Sequence, residues 1–415
     1  MRDMRESGVE WIGSVPATWQ TLTIGSLFKV RNEKVNDTDY PPLSVSKGGI
    51  VPQMENVAKS DANDNRKMVL VDDFVINSRS DRKQSCGVSP LDGSVSLINT
   101  VLYTAKGAPV VPAYLNYLMK NHGFAEEFYR WGHGIVADLW TTRWQEMKSI
   151  LLPIPSVQEQ QQILAAISVE SEKVDALIAN VQAQIEKLKA YKQSVITEFV
   201  TKGLDPSVPM KDSGVEWIGE IPETWTTIRV KQLLKERKER SVDGSEEPLS
   251  MSQKVGLVPT RVLDMIPNMA SSFVGAKLTY VDDLVFNKLK AHLGVFSVSK
   301  YDGLVSPDYA VYYSTGKVHL KYLEYLFKTP QCISEFRKRS TGIAAGLTRL
   351  YTDGLFAIEC PFPAMDEQNA IVEYLNIKCG QVDQLIAIKQ KKIDKLNDYK
   401  KSLIYEYVTG KKEVS

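Results

Sequence analysis

The chain has 415 residues, of which 43% are hydrophobic and 24% are charged, and its formal net charge is +1. A chain of this length is expected to form two to four domains, with ample apolar side chains for their cores. The balanced charge excludes a generally basic nucleic-acid coat protein and a disordered acidic chain, so any polyanion would have to meet a local basic patch.

The N-terminal MRDMRESG is polar, and no apolar run is long enough to cross a bilayer. These features indicate a cytoplasmic protein with no membrane segment and no secretory signal. Four cysteines show no CxxC spacing and no pairing with the four histidines, so we expect no zinc site, no disulfide framework and no cofactor. As small apolar side chains they are expected to be buried. They are Cys86, Cys332, Cys360 and Cys379.

An internal repeat organises the chain. The heptapeptide SGVEWIG occurs at 7–13 and again at 213–219, and VDDFVIN at 71–77 matches VDDLVFN at 281–287. Further matches follow in the same order up to the end of the sequence, which predicts two similar globular units, each followed by a helix. The predicted segments are a first globular domain at 1–155, a first helical region at 156–202, a linker at 203–212, a second globular domain at 213–363 and a second helical region at 364–415.

The globular segments contain short β-rich runs bounded by Asp-Gly or by charged clusters, such as LVDDFVINS and LDGSVSL. Apolar residues recur at helical spacing at 112–121 and 318–329, where short helices are predicted. Each unit is therefore expected to mix α and β elements, and the whole chain to be of the α+β class.

Both helical regions begin with a proline-rich motif, LPIPSVQEQQQI at 152–163 and CPFPAMDEQNAI at 360–371. Ser156 and Glu159 are spaced as a capping box, whereas Ala364 predicts a weaker cap in the second copy. A narrow apolar seam follows, which favours a two-helix antiparallel coiled coil; the alternative is that each helix folds back on its own domain. The predicted seam positions are Val174, Ile178, Val181, Ile185, Leu188, Lys192, Val195 and Phe199 in the first helix and Val382, Ile386, Lys389, Ile393, Leu396, Lys400, Leu403 and Tyr407 in the second.

A duplicated enzyme would carry its catalytic residues in both copies. The repeated Asp-Asp pairs, 72–73 and 282–283, are either metal-binding carboxylates or a polar turn before a strand. None of the histidines has a counterpart in the other half, and neither does the nuclease-like DRK at 81–83. No phosphate-binding loop or dinucleotide motif is present, so we expect no catalytic role for this chain.

The two copies differ most after the matched VDD strands, where the first reads SRSDRKQSCGVS from 78 and the second KLKAHLGVFSVS from 288. Each has a second basic stretch before its long helix. A solvated charged face is one interpretation; the other is base and phosphate recognition by varied loops on a constant framework. The candidate DNA-binding residues are Arg79, Arg82, Lys83, Gln84 and Arg143 in the first half and Lys288, Lys290, His292, Arg339 and Arg349 in the second.

SGVEWIGxxPxxW, PLSxS followed by GxVP, PxPxxxEQxxI and the helix ending YKxSxIxExVT each occur twice in the same order. This combination resembles the specificity subunits of type I restriction-modification systems, that is, HsdS-like proteins. The resemblance implies two target recognition domains joined by two helices in an antiparallel coiled coil. It also implies that each domain reads one half of a split site in double-stranded DNA, and that the helices dock two methyltransferase subunits, with which restriction or translocase subunits associate.

The resemblance further implies that the helices set the gap between the two half-sites. A helix from Val174 to Phe199 is about 40 Å long, comparable to the roughly 34–36 Å between half-sites one turn of DNA apart. We expect that lengthening both helices would widen the gap. Two other interpretations remain at this point: a protein-protein scaffold without DNA binding, and a self-sufficient nuclease or methyltransferase.

Overall fold

The computed structural model describes residues 2–53, 64–79, 82–134, 140–253, 255–263, 273–342 and 348–414. Contacts divide the chain into two compact units. Unit 1 comprises Met1–Gln182 and Lys391–Ser415, and unit 2 comprises Ala183–Gln390. Each unit therefore contains one globular region and a part of both long helices.

The described strands are β1 (Met4–Glu6), β2 (Ser14–Pro16), β3 (Gln20–Thr23), β4 (Phe28–Val30), β5 (Lys34–Val35), β6 (Leu43–Ser46), β7 (Gly49–Pro52), β8 (Arg66–Val69), β9 (Phe74–Asn77), β10 (Cys86–Val88), β11 (Gly93–Val95), β12 (Asn99–Thr104), β13 (Leu151–Ile154), β14 (Met210–Asp212), β15 (Glu220–Pro222), β16 (Thr226–Arg229), β17 (Leu234–Glu236), β18 (Leu249–Ser252), β19 (Gly256–Pro259), β20 (Lys277–Thr279), β21 (Leu284–Asn287), β22 (Phe296–Val298), β23 (Gly303–Val305), β24 (Tyr309–Ser314) and β25 (Glu359–Phe362). The described α-helices are α1 (Ile24–Leu27), α2 (Pro112–Lys120), α3 (His122–Arg130), α4 (Trp144–Met147), α5 (Val157–Lys202), α6 (Val230–Leu233), α7 (Leu320–Phe327), α8 (Pro330–Arg339), α9 (Thr352–Phe356) and α10 (Met365–Val408).

A matching four-stranded sheet occurs in both units. Unit 1 has a four-stranded antiparallel sheet in the order β10-β9-β12-β4, and unit 2 has its counterpart in the order β17-β24-β21-β22. Strands β9 and β21, which immediately follow the repeated VDD motif, lie inside these sheets and are buried along most of their length. The mixed α and β class predicted from the sequence is confirmed, as are the short helices α2 and α7.

Each globular region has its own core, and the repeat places larger side chains in the second. Phe286, Phe296, Phe327 and Phe336 of unit 2 form an aromatic cluster in which the rings of Phe286 and Phe296 stack with centroids 4.4 Å apart. At the corresponding positions, unit 1 has a smaller set made of Ile76, Cys86, Met119 and Phe128. Cys86 is therefore a packing residue.

The repeated SGVEWIG forms a tight loop between two paired strands. In unit 1 it connects β1 with β2, the backbone N–H of Ser7 donates to the carbonyl of Gly13, and both Gly8 and Gly13 have positive φ. Because side chains disfavour that conformation, glycine is required at both ends of the loop. In unit 2 the equivalent strand β14 lies within the stretch predicted as a linker and pairs with β15.

A buried glutamine joins each long helix to its globular region. The amide of Gln160 donates to the carbonyls of Pro109 and Pro155, and its carbonyl accepts from the backbone N–H of Val111. Gln368 makes the corresponding three bonds in unit 2. This arrangement explains why both copies have glutamine after the glutamate in the proline-rich motif.

Only half of the predicted capping box forms at the start of α5. The Ser156 hydroxyl accepts from the backbone N–H of Glu159 at 3.2 Å, whereas the Glu159 carboxylate pairs with Arg2. Helix α10 ends at Val408, before the predicted end of its region.

The long helices pack antiparallel to one another within each unit. In unit 1, Asp175 of α5 pairs with Lys400 of α10, and in unit 2 Lys192 of α5 pairs with Asp383 of α10. Every predicted seam position is buried or half-buried, whereas most of the other positions along these helices are exposed. The predicted fold class, including the antiparallel pairing of the two helices, is confirmed. The alternative in which each helix contacts only its own domain is wrong.

Candidate nucleic-acid interface

The repeated Asp-Asp pair is a turn that positions the following strand. Asp73 is buried and accepts two hydrogen bonds from Arg31, at 2.7 and 3.0 Å, and a third from the backbone N–H of Leu70. In unit 2, Arg237 and Asp283 form the same pair at 2.7 and 2.9 Å. Because an arginine neutralises each buried carboxylate, the geometry favours the polar turn over the metal site. No group of three or more candidate metal ligands occurs among the described residues.

An asparagine at the end of each VDD strand starts the variable loop in the same way. The side-chain oxygen of Asn77 accepts from the backbone N–H of Arg79 at 3.0 Å, and that of Asn287 accepts from Leu289 at 3.1 Å. Arg79 and Leu289 therefore occupy equivalent positions. Asp81 of the nuclease-like triplet lies outside the described residues.

The two basic stretches predicted from the sequence meet in both units. The backbone N–H of Thr142 donates to the carbonyl of Ser78 at 3.1 Å, and that of Leu350 donates to the carbonyl of Lys288 at 3.0 Å. We call this meeting point the loop junction, made of residues 78–79 and 141–142 in unit 1 and 288–289 and 349–350 in unit 2. In each unit, a backbone bridge closes the second stretch, His133 with Thr141 and Thr341 with Arg349.

Four predicted residues of unit 1, Arg79, Arg82, Lys83 and Gln84, line a single cleft that also includes Trp140. Arg79 is exposed. The ammonium of Lys83 is bound by both carboxylate oxygens of Glu126, at 3.0 and 3.1 Å, and lies 4.2 Å from the centre of the Tyr129 ring.

Two further predicted residues, Arg143 of unit 1 and Arg339 of unit 2, make no junction bond themselves. Arg143 is exposed and immediately precedes α4, where its backbone N–H donates to Glu146. Arg339 lies on α8 in unit 2, where its guanidinium is 3.6 Å from Glu335, a carboxylate that also binds Lys338.

Two predicted residues of unit 2 lie directly at the junction. The carbonyl of Lys288 forms the junction bond, and the guanidinium of Arg349 lies 3.5 Å from the carboxylate of Asp308. Lys290 is exposed and precedes a short 3-10 turn, Ala291–Leu293, that holds the half-buried His292.

The sequence reasoning missed a matched pair of lysines. The ammonium of Lys67 on β8 donates to the carbonyl of Asn99 at 2.7 Å, and that of Lys277 on β20 donates to Tyr309 at 2.6 Å. Burial lowers the pKa of both side chains, and in unit 2 repulsion from Lys288 adds to the effect. The signal was present in the repeat, where KMVLVDD is matched by KLTYVDD.

All four cysteines are buried. Burial raises the pKa of the Cys86 thiol to about 12 and that of Cys332 well above its usual range, so neither is a thiolate nucleophile near neutral pH. Among the described helices, none combines the length and apolar character that a membrane span requires.

The chain is similar to known proteins along almost all of its length. It is 23% identical over 430 aligned residues to the putative type I restriction enzyme MjaX specificity subunit of Methanocaldococcus jannaschii, an alignment that covers 96% of the chain and 95% of that relative. It is 25% identical over 282 residues to the type I restriction enzyme MjaVIII specificity subunit of the same organism, covering 64% of the chain and 62% of the relative. No protein-family model matches.

A solved chain shares the fold. It belongs to a structure described as the structural basis of complex assembly and conformational transition of the type I R-M system, with a TM-score of 0.65 and 14% identity, covering 95% of this chain and 98% of that one. This chain is therefore similar, over almost its whole length, to a specificity subunit of type I restriction enzymes, and it shares the fold of a chain from a type I R-M system.

Proposed function

We propose that the chain is the DNA-specificity subunit of a type I restriction-modification complex, in which each unit reads one half of a split site. The observation that carries this proposal is the loop junction. Both units build it with the same backbone hydrogen bonds, yet the side chains it presents differ between them. A constant framework with varied donors is what recognition of two different short DNA sequences requires.

The remaining predicted DNA-binding residues fit a division between base and phosphate contacts. Lys83 and Arg339 are each held by a carboxylate on the same unit, Glu126 and Glu335. Because both cations lie outside the loop junction, we assign them to backbone phosphates, which position a protein on DNA without reading its sequence. Phosphate contacts contribute affinity that falls with salt, independent of sequence.

We assign the chemistry to partner subunits. The solved relative belongs to a type I R-M system whose assembly was described, and we propose that this chain likewise assembles with two methyltransferase subunits, and with restriction subunits where these are present. The long helices would dock the methyltransferases and set the unread gap. In this assignment the chain itself is not an enzyme.

The test is a genome-wide map of methylated adenines in cells that express the chain together with the methyltransferase subunit of its system. We expect one split motif, with two short specified sequences and a fixed gap. A strain that expresses the methyltransferase alone is the control and should show no such motif. Methylation without a split motif, or methylation by the purified chain supplied only with adenosylmethionine, would contradict the proposal.

A further inference from the structure

The loop junction carries one arginine in each unit, but on opposite sides. In unit 1, Arg79 on the first loop pairs through the backbone with Thr141 on the second. In unit 2 the equivalent positions hold Leu289 and Arg349. The equivalence rests on the matched asparagine caps and on the matched junction hydrogen bonds, not on sequence similarity of the loops themselves.

In unit 2 the arginine has an acidic partner that has no equivalent in unit 1. Asp308 immediately precedes β24, and its carboxylate is 3.5 Å from the Arg349 guanidinium; both side chains are more than a third exposed. The residue that immediately precedes the matching strand β12 of unit 1 is Ile98, which has no charge to offer an arginine. Unit 2, which has its arginine on the second loop, therefore has an aspartate at this position. Unit 1, which has its arginine on the first loop, has an isoleucine there.

An arginine is the side chain best suited to read a base at such a place. Its planar guanidinium donates two parallel hydrogen bonds to the O6 and N7 atoms of guanine, which no other base offers in the major groove. A carboxylate beside it restricts the orientation of the guanidinium while the outer N–H groups stay available. An exposed ion pair of this kind adds little to folding stability, so stability does not explain its presence.

We propose that the junction arginine is the guanine-reading residue of each unit, Arg79 in unit 1 and Arg349 in unit 2, and that Asp308 is a positioning residue for Arg349. This inference rests on the proposed function. It assigns the reading of guanine to two of the ten candidate DNA-binding residues. Because the two arginines extend from opposite sides of the junction, the specified guanines lie at different positions within the two half-sites.

The experiment uses the complex of the full chain with its methyltransferase subunits and maps the methylated motif of Arg349→Ala. We expect discrimination at one guanine of one half-site to fall about tenfold or more, with the other half-site unchanged. Arg349→Lys keeps the charge but not the forked donors, and should also lose the discrimination. Asp308→Asn should weaken preference at the same base, and Asp308→Glu should largely restore it.

Arg79→Ala makes the reciprocal test and should relax one base of the other half-site. Arg229→Ala, which removes another exposed, ion-paired arginine of unit 2, is the matched control and should leave the motif intact. An evenly weakened methylation of all sequences in Arg349→Ala would assign that arginine to a phosphate and overturn the inference, as would an unchanged motif. A wild-type complex without any split motif would instead overturn the proposed function.

Discussion

The ammonium of Lys192 on α5 lies 2.7 Å from both carboxylate oxygens of Asp383 on α10. Lys400 and Asp175 form the same arrangement in unit 1. Both lysines occupy seam positions where apolar residues would otherwise continue, so each seam is interrupted at one matched place by a cross-helix ion pair. A polar residue in a seam fixes the register of two helices, because any other alignment would leave it without its partner.

The coupling between these partners is predicted to be small. The double-mutant cycle of Lys192→Ala and Asp383→Ala should give an interaction free energy of about 0.5 kcal/mol, since both side chains are partly exposed. Chemical denaturation of the four variants measures it. The value should shrink at high salt, and the cycle of Lys400 and Asp175 should match it. A coupling above about 2 kcal/mol in either cycle would contradict the prediction that these are weak ion pairs screened by solvent.

Gln160 should be among the costliest polar residues to replace. Gln160→Leu leaves the backbone carbonyls of Pro109 and Pro155 and the backbone N–H of Val111 without their hydrogen bonds from a buried side chain, and we expect the free energy of unfolding to fall by about 2–4 kcal/mol. The neighbouring Gln161 is exposed and provides the control, since Gln161→Leu should change stability by less than about 0.5 kcal/mol. Equal effects of the two substitutions would argue against the buried network.

The Arg31–Asp73 pair should contribute to stability and not to any metal chemistry. Asp73→Ala leaves a largely buried guanidinium without its partner, so we expect a loss of about 3 kcal/mol. Glu33 contacts the same arginine at 3.7 Å but is mostly exposed, and Glu33→Ala should cost less than about 1 kcal/mol. Mg²⁺ or Mn²⁺ should not stabilise the wild-type protein through Asp73. The change in unfolding free energy on adding either metal should therefore be the same for wild type and Asp73→Ala.

Gln84 has a positive φ of 64°, whereas the equivalent position in unit 2 is Gly294 with φ of 74°. A side chain is disfavoured in that conformation, so Gln84→Gly should stabilise unit 1 by up to about 1 kcal/mol. Gln84→Ala keeps the strained backbone conformation and removes only the side-chain amide. It therefore separates the effect of backbone strain from that of the side chain. If the glutamine is retained for DNA recognition, both variants should weaken DNA binding by the complex alike, despite their different stabilities. Unimpaired binding in both would remove Gln84 from the candidates.

The half-buried Lys67 should give stability a dependence on alkaline pH. Its pKa is lowered in the folded state by burial, from an ordinary value of 10.5. As pH rises from that lowered pKa towards 10.5, the folded state loses the proton first, the unfolded state binds more protons, and stability increases. Lys67→Met should remove this increase, so that the difference in unfolding free energy between wild type and variant grows with pH.

The fold was largely predictable because the same motifs occur in the same order in both halves of the sequence. Periodicity located α5 and α10, and matched motifs located the strands. The loop junction was not predictable, because it is a backbone contact between stretches far apart in the sequence, Ser78 with Thr142, that no local pattern marks. Local propensity also gave no indication that Lys83 would be bound by Glu126 on α3, since that pair depends on how the loop packs against a helix.

The end of each long helix is hydrogen-bonded to a tyrosine of the globular region from the other half of the chain. The hydroxyl of Tyr114 donates to the carbonyl of Val408, and that of Tyr322 to the carbonyl of Val200, so each globular region is completed by the end of the helix that follows the other one in sequence. A substitution at the end of one long helix therefore acts on the globular region of the other half of the chain rather than on the region that precedes that helix. Both helix ends must therefore offer the same packing surface. This accounts for the similarity of their sequences, YKQSVITEFVT and YKKSLIYEYVT, in a chain whose two sets of loops differ. Replacement of one globular region by another should succeed only where this shared helix end is preserved.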